Sequence, residues 1–414
     1  IMVFVYNIFL IFYALGIRIA AIFNTKASTW LRGRKNILNE IKSKLNVNKD
    51  KLIWIHSASL GEFEQGRTLI EEIKNKYPSY KMLVTFFSPS GYEVRKNYHL
   101  ADYVFYLPMD GKKNASAFID AINPSLAVFI KYELWYHYLK TLSERKIPSI
   151  LISAIILPSQ AYFGITGKFF QNMLNRFSHI FVQDQKSLQL LKTLPVTAPV
   201  SVSGDTRFDR VYQITQEHFT DSKIEAFCEG QQVLIAGSTW DEDEEALASL
   251  QYEFPSLKFI IAPHEINEPH INSIKKRFQN AACLSERNGN TDVNTLIIDS
   301  IGMLSKIYKY ATLTYVGGGF NKAGIHNILE AAVHGKTVCW GPNYSRSAEA
   351  FKMIELGCGF SFQSNAQLSQ WVKNLLKNES ARSEKNSIAS AYTKENLGAT
   401  SQIMVFLQHS KILS

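Results

Sequence analysis

The sequence predicts two doubly wound α/β domains in tandem, preceded by an apolar helix. Three observations predict it. At 414 residues the chain exceeds one ordinary core. Short apolar runs alternate with amphipathic stretches in two separate series. Residues 1–23 are almost wholly apolar, with Asn7 and Arg18 the only strongly polar members. A composition of 46% hydrophobic and 20% charged residues suits packed domains and excludes disorder.

As a helix, residues 1–23 would extend roughly 34 Å, enough to cross a hydrocarbon core of ~30 Å. Arg18 lies near one end, where it can snorkel to headgroups. Lys26, Arg32, Arg34 and Lys35 follow, with no acidic residue before Glu40, which places the remainder in the cytoplasm. A cleaved signal peptide carries basic residues ahead of its apolar stretch, and none stand there, so a retained anchor is expected.

The first α/β series spans residues 24–212. KLIWIHSAS reads as a strand entering a turn, and Leu69, Ile70 and Ile73 give the next stretch a helical face. KMLVTFF, DYVFYLP, SLAVFIKYE, SILISAI and HIFVQD follow as strands with helices between them. Residues 213–231 show no strand pattern and read as a linker. The second series, residues 232–414, contains QVLIAGST, LKFIIAPHE, NTLIIDS, ATLTYVGGG and KTVCWGP. Strands separated by helices form parallel sheets covered on both faces, which bind ligands at the strands' carboxyl ends. Functional residues are therefore sought just after strands.

HSASLGEFEQ (56–65) follows the first strand. Ser59 and Glu62 have the spacing of a capping box, and Glu62 behind Gly61 is also placed to take a proton from a substrate hydroxyl. The helix dipole there favours its ionised form. SPSGYE (88–93) caps a helix through Ser88 or Ser90, whose N–H groups suit an anion. Glu133 in KYELW stands straight after a strand, as a ligand contact or a surface residue. Arg207 in GDTRFD suits an anion or an interdomain salt bridge.

In the second series, Gly237, Ser238 and Thr239 form a small turn usable for phosphate, and the run Asp241 to Glu245 reads as a solvated face. His264 follows a strand behind a proline. In YVGGGFNKAGIHNILEAA, Gly317 to Gly319 follow a strand and Gly324 precedes a helix IHNILEAA. The offsets are not G-x-G-x-x-G, so a dinucleotide site is not expected. Asn327 and Glu330 share one helical side, where a carboxylate can grip ribose hydroxyls. The stretch 161–177, with Phe163, Phe169, Phe170, Met173 and Leu174 beside Lys168 and Arg176, fits a lipid-facing patch or an ordinary packed helix.

Four cysteines, Cys228, Cys283, Cys339 and Cys358, lack zinc spacing and read as free thiols in a reducing compartment. The net charge of +9 suits an anionic partner. No basic tract interleaved with aromatics appears, so that partner is a membrane surface rather than nucleic acid.

In this order, WLRGRK, HSASLGE, VTFFSPSGYE, YELW, FVQD, SGDTRFD, AGSTW and GGGFNKAGIHNILEAA resemble the Kdo (3-deoxy-D-manno-octulosonic acid) transferases of lipopolysaccharide assembly. The resemblance covers almost the whole chain. It implies a GT-B fold at the inner membrane, with CMP-Kdo bound by the second domain and a lipid A precursor by the first. It implies inverting transfer with neither metal nor cofactor, and makes Glu62 the catalytic base. The remaining candidates divide accordingly: Ser59, Gly61, Ser90, Glu133 and Arg207 toward acceptor or sugar, and Ser238, Thr239, His264, Gly318, Gly319, Gly324, His326, Asn327 and Glu330 toward CMP. Two departures stand out. Ser153-Ala154 is followed by Ile155 where members carry an Arg shortly after, and Arg346-Ser347 follows GPNY where Asn-Phe is common. Two other readings remain open: another GT-B enzyme with a uridine nucleotide donor (a transferase or an epimerase), and a membrane-tethered sugar-nucleotide binding protein.

Overall fold

Runs of aliphatic residues with no polar alternation can be satisfied only where both faces of a sheet are covered, and that is where they lie. The computed structural model describes residues 2–45, 51–286 and 293–413. It contains two seven-stranded sheets, one in each of two compact units. The first comprises β1 (Leu52–Ser57), β2 (Lys81–Phe86), β3 (Tyr103–Tyr106), β4 (Leu126–Ile130), β5 (Ser149–Ala154), β6 (His179–Val182) and β7 (Val200–Val202), ordered β3-β2-β1-β4-β5-β6-β7. The second comprises β8 (Val233–Thr239), β9 (Lys258–Pro263), β10 (Ala281–Cys283), β11 (Thr295–Ile297), β12 (Leu313–Val316), β13 (Val338–Trp340) and β14 (Gly359–Ser361), ordered β10-β11-β9-β8-β12-β13-β14. Every pairing is parallel. In β1, β4 and β5 every residue is buried.

The winding reverses between β1 and β4 in the first sheet and between β8 and β12 in the second. Such switch points open a crevice at the strands' carboxyl ends. Glu62 follows β1 and Glu133 follows β4; Ser238 and Trp240 close β8, and Gly317 follows β12. Both sets of candidate residues therefore fall at switch points.

The units do not divide the chain at a linker. The first is Ile1–Arg210 with Leu397–Ser414, and the second is Val211–Asn396. The helix Ala399–His409 buries Ile403, Met404 and Leu407 in the core formed with β1 and β2, and Thr68 and Thr400 share a hydrogen bond of 2.7 Å. Asp209 accepts from the N–H groups of Gly398 and Thr400, both at 2.7 Å, and so ties that helix's start to the first unit. Within 213–231, the helix Ser222–Cys228 buries Ile224 and Phe227 in the second unit's core. That segment belongs to a folded unit.

The apolar helix α1 (Met2–Ala20) leads into α2 (Thr25–Arg32) and α3 (Ile37–Lys44); residue 1 of the apolar stretch lies outside the described residues. One side of α1 packs along the first unit. Tyr6 donates to Asp110 at 2.7 Å and lies 5.6 Å from the Phe169 ring, Asn7 meets His137 at 2.7 Å, and Tyr13 lies 6.2 Å from Phe87. The other side leaves Phe4, Phe9, Ile11, Phe12, Leu15 and Ile19 exposed. Near the far end of α1, Arg34 donates to the carbonyls of Leu107, Trp30 and Phe87, stapling the turn after α2 to the ends of β2 and β3.

The stretch 161–177 packs on the first unit's core, its α-helix spanning Gly167–Leu174. Phe169, Met173 and Leu174 are buried, and Phe163 and Phe170 pack against the same core. Its apolar side faces Tyr136 and Tyr6 rather than lipid.

Candidate active site

The first-unit site begins with helix α4 (Leu60–Lys76), which starts where β1 ends. Its first turn leaves N–H groups without helical partners, and a carboxylate three residues in is the natural acceptor. Glu62 Oε2 accepts from the N–H of Ala58 at 2.7 Å and of Ser59 at 3.1 Å. Both bonds go to one oxygen, Oε2. Burial, then the nearby Glu133 carboxylate, push Glu62 above the ordinary glutamate range, against the two backbone bonds and His56. The expectation that the helix start would hold it ionised is thus outweighed by desolvation.

Behind Glu62 lies a buried polar chain. Trp54 Nε1–H donates to Thr85 Oγ1 at 2.8 Å, Thr85 and His56 Nδ1 are 2.8 Å apart, and His56 Nε2 is 3.1 Å from Glu133 Oε2. Trp135 Nε1–H reaches the same oxygen at 2.7 Å. A neutral His56 with its proton on Nε2 satisfies every member: the Thr85 hydroxyl donates to Nδ1, and Nε2–H donates to Glu133. Glu133 is thereby neither a surface residue nor simply a ligand contact. It is buried and held by two donors from β1 and from its own loop.

In the second unit, Asp243 is fully buried and joins the two sides of the switch point. Its Oδ2 accepts from Trp240 N at 3.0 Å and Gly318 N at 2.9 Å, while the Tyr315 hydroxyl donates to Oδ1. Burial, partly offset by these bonds, raises its carboxyl to about 6. Glu244 is buried too, receiving the Thr239 hydroxyl at 2.9 Å and pairing with His270 and Arg277. The acidic run is therefore only partly a solvated face.

Trp240, His264 and His326 form a stack, with ring centroids 4.7 Å apart for Trp240–His264 and 4.4 Å for His264–His326. Trp240 Nε1–H donates to His326 Nε2 at 3.0 Å, which leaves Nδ1–H as that ring's donor. Burial, then His264, lower His326 to about 4, and burial lowers His264. Both rings are neutral at pH 7 and offer hydrogen bonds rather than charge.

Residues 32–210 match the family model described as 3-deoxy-D-manno-octulosonic-acid transferase (kdotransferase). The 3-deoxy-D-manno-octulosonic acid transferase of Rickettsia felis is 29% identical over 317 residues, covering 73% of this chain and 66% of that one. The enzyme of the same description from Haemophilus influenzae is 26% identical over 368 residues, 86% of each chain. The family model covers under half of the chain, and over most of its length the chain is similar to Kdo transferases. Its alignment spans 66% of the Rickettsia felis relative's length. Among solved structures, UDP-GlcNAc 2-epimerase from Neisseria meningitidis superposes with a TM-score of 0.60 at 15% identity, over 87% of this chain and 100% of that one. MurG from Acinetobacter baumannii gives 0.55 at 12%, over 87% and 100%. The fold is GT-B.

The expected acceptor-side residues come together only in part. Ser59 and Gly61 flank Glu62, and Ser88 N–H donates to Ala58 O at 2.8 Å, bringing the Ser90 turn beside them. Ser90 Oγ pairs with Ser88 Oγ at 2.7 Å. Arg207, in the first turn of the helix Thr206–Gln216, forks onto Asp205 just ahead of that helix, at 2.8 and 2.7 Å.

On the donor side, Ser238 holds a left-handed φ of 54° at the irregular end of β8, an unusual conformation for a residue with a Cβ. Thr239 is buried with its hydroxyl committed to Glu244, which removes it from ligand contact. Gly318 and Gly319 make room for protein: a Cβ would meet Gly324 O at 2.7 Å from the one and Gly341 Cα at 2.6 Å from the other. Gly324, at φ 88°, turns the loop so that Ile325 N–H reaches Asn343 O. The helix expected from Ile325 begins only at Leu329; Asn327 precedes it, accepting from Leu329 N–H and donating to Glu330 at 3.3 Å.

Sequence reasoning missed His56, Thr85, Trp135 and Asp243. The first three carried one signal each, a polar or indole group at the end of a buried strand or just beyond it. Asp243 carried its place three residues after Trp240 at a helix start.

Proposed function

We propose that this enzyme transfers Kdo from CMP-Kdo to a hydroxyl of a lipid A precursor, inverting the anomeric centre without a metal, with Glu62 as the general base. The observation that carries the reading is Glu62 itself: a half-buried carboxylate at the β1–β4 switch point, one oxygen fixed by two backbone N–H groups. A sugar hydroxyl is a weak nucleophile at neutral pH. A carboxylate beside it takes the proton as the new C–O bond forms and the CMP phosphate leaves.

Donor binding is assigned to the second unit. The Trp240–His264–His326 stack and the Asn327–Glu330 pair offer a flat aromatic surface, neutral ring donors and a carboxylate suited to ribose hydroxyls. Acceptor binding is assigned to the first unit and comes from the membrane. A run of contacts leads from α1 to Glu133: Tyr13 to Phe87, Phe87 to Trp135 at 4.7 Å, and Trp135 to Glu133.

The packing of α1 refines the expected anchor. Tyr6 and Asn7 near one end, and Tyr13 further along, touch the same unit. A helix that crosses a bilayer carries its early residues away from the cytoplasmic domain. We therefore place α1 in the plane of the inner-membrane interface, its exposed Phe, Ile and Leu residues in the acyl region and the catalytic units on the cytoplasmic side.

Incubating the full chain with CMP-Kdo and a tetra-acylated lipid A precursor, and weighing the product, tests the reaction. CMP should raise the melting temperature and UDP should not. Stabilisation by UDP alone would favour a uridine nucleotide enzyme, and Glu330→Ala should raise KM for CMP-Kdo far more than it lowers kcat.

A further inference from the structure

We infer that Thr85 is a positioning residue of the first-unit site, its hydroxyl aiming the ring N–H of His56 at Glu133. The inference deepens the proposed function and rests on it, because it takes the Glu62 side of β1 and β4 as the place where the acceptor hydroxyl reacts.

Strand register brings the parts together. His56 in β1 lies opposite Thr85 in β2 and Phe129 in β4. Trp54, two residues before His56, shares its face of the sheet. The rings of Phe118, Phe129 and Tyr138 pack around the Trp54 indole, with centroids at 5.0, 5.1 and 5.6 Å. Trp54, His56 and Thr85 are all closed off from solvent, so each polar hydrogen among them needs a protein acceptor.

The ends of the chain fix its direction. An indole nitrogen only donates, so the Thr85 oxygen accepts from Trp54 at 2.8 Å. Trp54 and His56 are the hydroxyl's only partners among the described residues. Its own hydrogen therefore has one destination, His56 Nδ1 at 2.8 Å. A ring protonated on Nδ1, neutral or charged, would strand that hydrogen in a buried place. Nε2 then carries the ring hydrogen, and it faces Glu133 Oε2 at 3.1 Å. Trp135 is a second donor-only group, 3.1 Å from His56 Nε2 and 2.7 Å from the same carboxylate oxygen. With Nε2 protonated, its hydrogen goes to Glu133 alone. Two indoles close the chain from both ends, and Thr85 is the link that gives it one direction. A neutral His56 also leaves the Glu133 charge uncompensated beside Glu62, whereas a charged ring would act against the rise that Glu133 causes there.

The full chain with its histidine rings labelled for nitrogen NMR reports the state of His56 directly, its signals being those lost in His56→Gln. Nδ1 should be unprotonated and hydrogen-bonded, and Nε2 protonated. A protonated Nδ1 in the wild type would overturn the proposal, whatever the enzyme transfers. Thr85→Val keeps the side chain's shape and removes the hydroxyl. It should lower kcat/KM for the lipid acceptor roughly tenfold, leave KM for CMP-Kdo in place, and move the Nδ1 signal to that of an unbonded nitrogen. Thr85→Ser keeps the hydroxyl and should recover most of both effects. Should Thr85→Val fail to fold, Thr85→Cys replaces the hydroxyl with a weak donor and makes the same test. Full activity in a folded Val variant, or a Ser variant no better than Val, would reduce Thr85 to a packing residue. Absence of any transfer from CMP-Kdo by the wild type would sink the proposed reaction instead, and the His56 signals would still decide the direction of the chain.

Discussion

Glu133 gives a clean separation of hydrogen bonding from charge. Its Oε2 receives two donors, His56 Nε2–H at 3.1 Å and Trp135 Nε1–H at 2.7 Å. Glu133→Ala orphans both in a buried setting, at about 1–3 kcal/mol each, so roughly 2–6 kcal/mol in sum. Set against a typical stability of about 5–15 kcal/mol, that is a large loss. Glu133→Gln keeps an oxygen that accepts both donors, and stability should change by no more than ~1 kcal/mol. The same Gln removes the negative charge that raises Glu62, second only to burial. Glu62 then ionises at lower pH, and the acid limb of kcat/KM should move downward. Urea denaturation at constant m reads the first effect, and a pH–rate profile reads the second. An Ala variant as stable as wild type would refute the network, and an unmoved acid limb in the Gln variant would refute Glu62 as the titrating base.

Glu62→Gln retains an acceptor for Ala58 and Ser59, so it should fold within about 1 kcal/mol of wild type while turnover falls on the order of 100-fold or more with donor affinity preserved. Nearly full activity would leave helix capping as its whole role. Removing residues 1–23 should leave a folded protein but, by deleting the Tyr6–Asp110 and Asn7–His137 contacts and uncovering Trp30, cost roughly 2–4 kcal/mol. Equal melting temperatures in detergent would show α1 to be a free tether. His326 titrates at about 4 when folded against an ordinary 6.5, so its stabilising contribution is present above pH 6.5 and lost as pH falls toward 4. His326→Phe should flatten that limb by up to about 3 kcal/mol. Asp243, raised from 3.8 to about 6, acts oppositely, its contribution disappearing as pH rises through that window. Asp243→Asn isolates it in the same titration.

Central strands were legible because burial on both faces writes a continuous apolar run, as in LIWIHS and LAVFI. The three-residue edge strands β10 and β14 lack the apolar flanks that make β11 and β13, of equal length, legible, and were missed. Glu62 was legible because capping is local. His56, Thr85 and Trp135 were not, since their partners lie 29 to 79 positions away and only the parallel register of β1 with β2 and β4 brings them together. Gly318 and Gly319 were noticed for the right property, lack of a Cβ, but what approaches them is Gly324 and Gly341. The start of IHNILEAA was misplaced because Asn327 caps a helix that the apolar spacing extended backwards.

The return of the helix Ala399–His409 to the first unit has a consequence for biosynthesis. A ribosome delivers α1 and β1 to β7 first, but the surface of β1 and α4 that awaits Ile403, Met404 and Leu407 stays uncovered until the whole second unit has been made. Val211–Asn396 is continuous in sequence and can close its own core beforehand. The later-translated unit can therefore be finished first, while the earlier one waits with an apolar groove open. A nascent chain stalled before residue 397 should accordingly be protease-sensitive around α4 and depend on chaperones, and release of the last segment should abolish both.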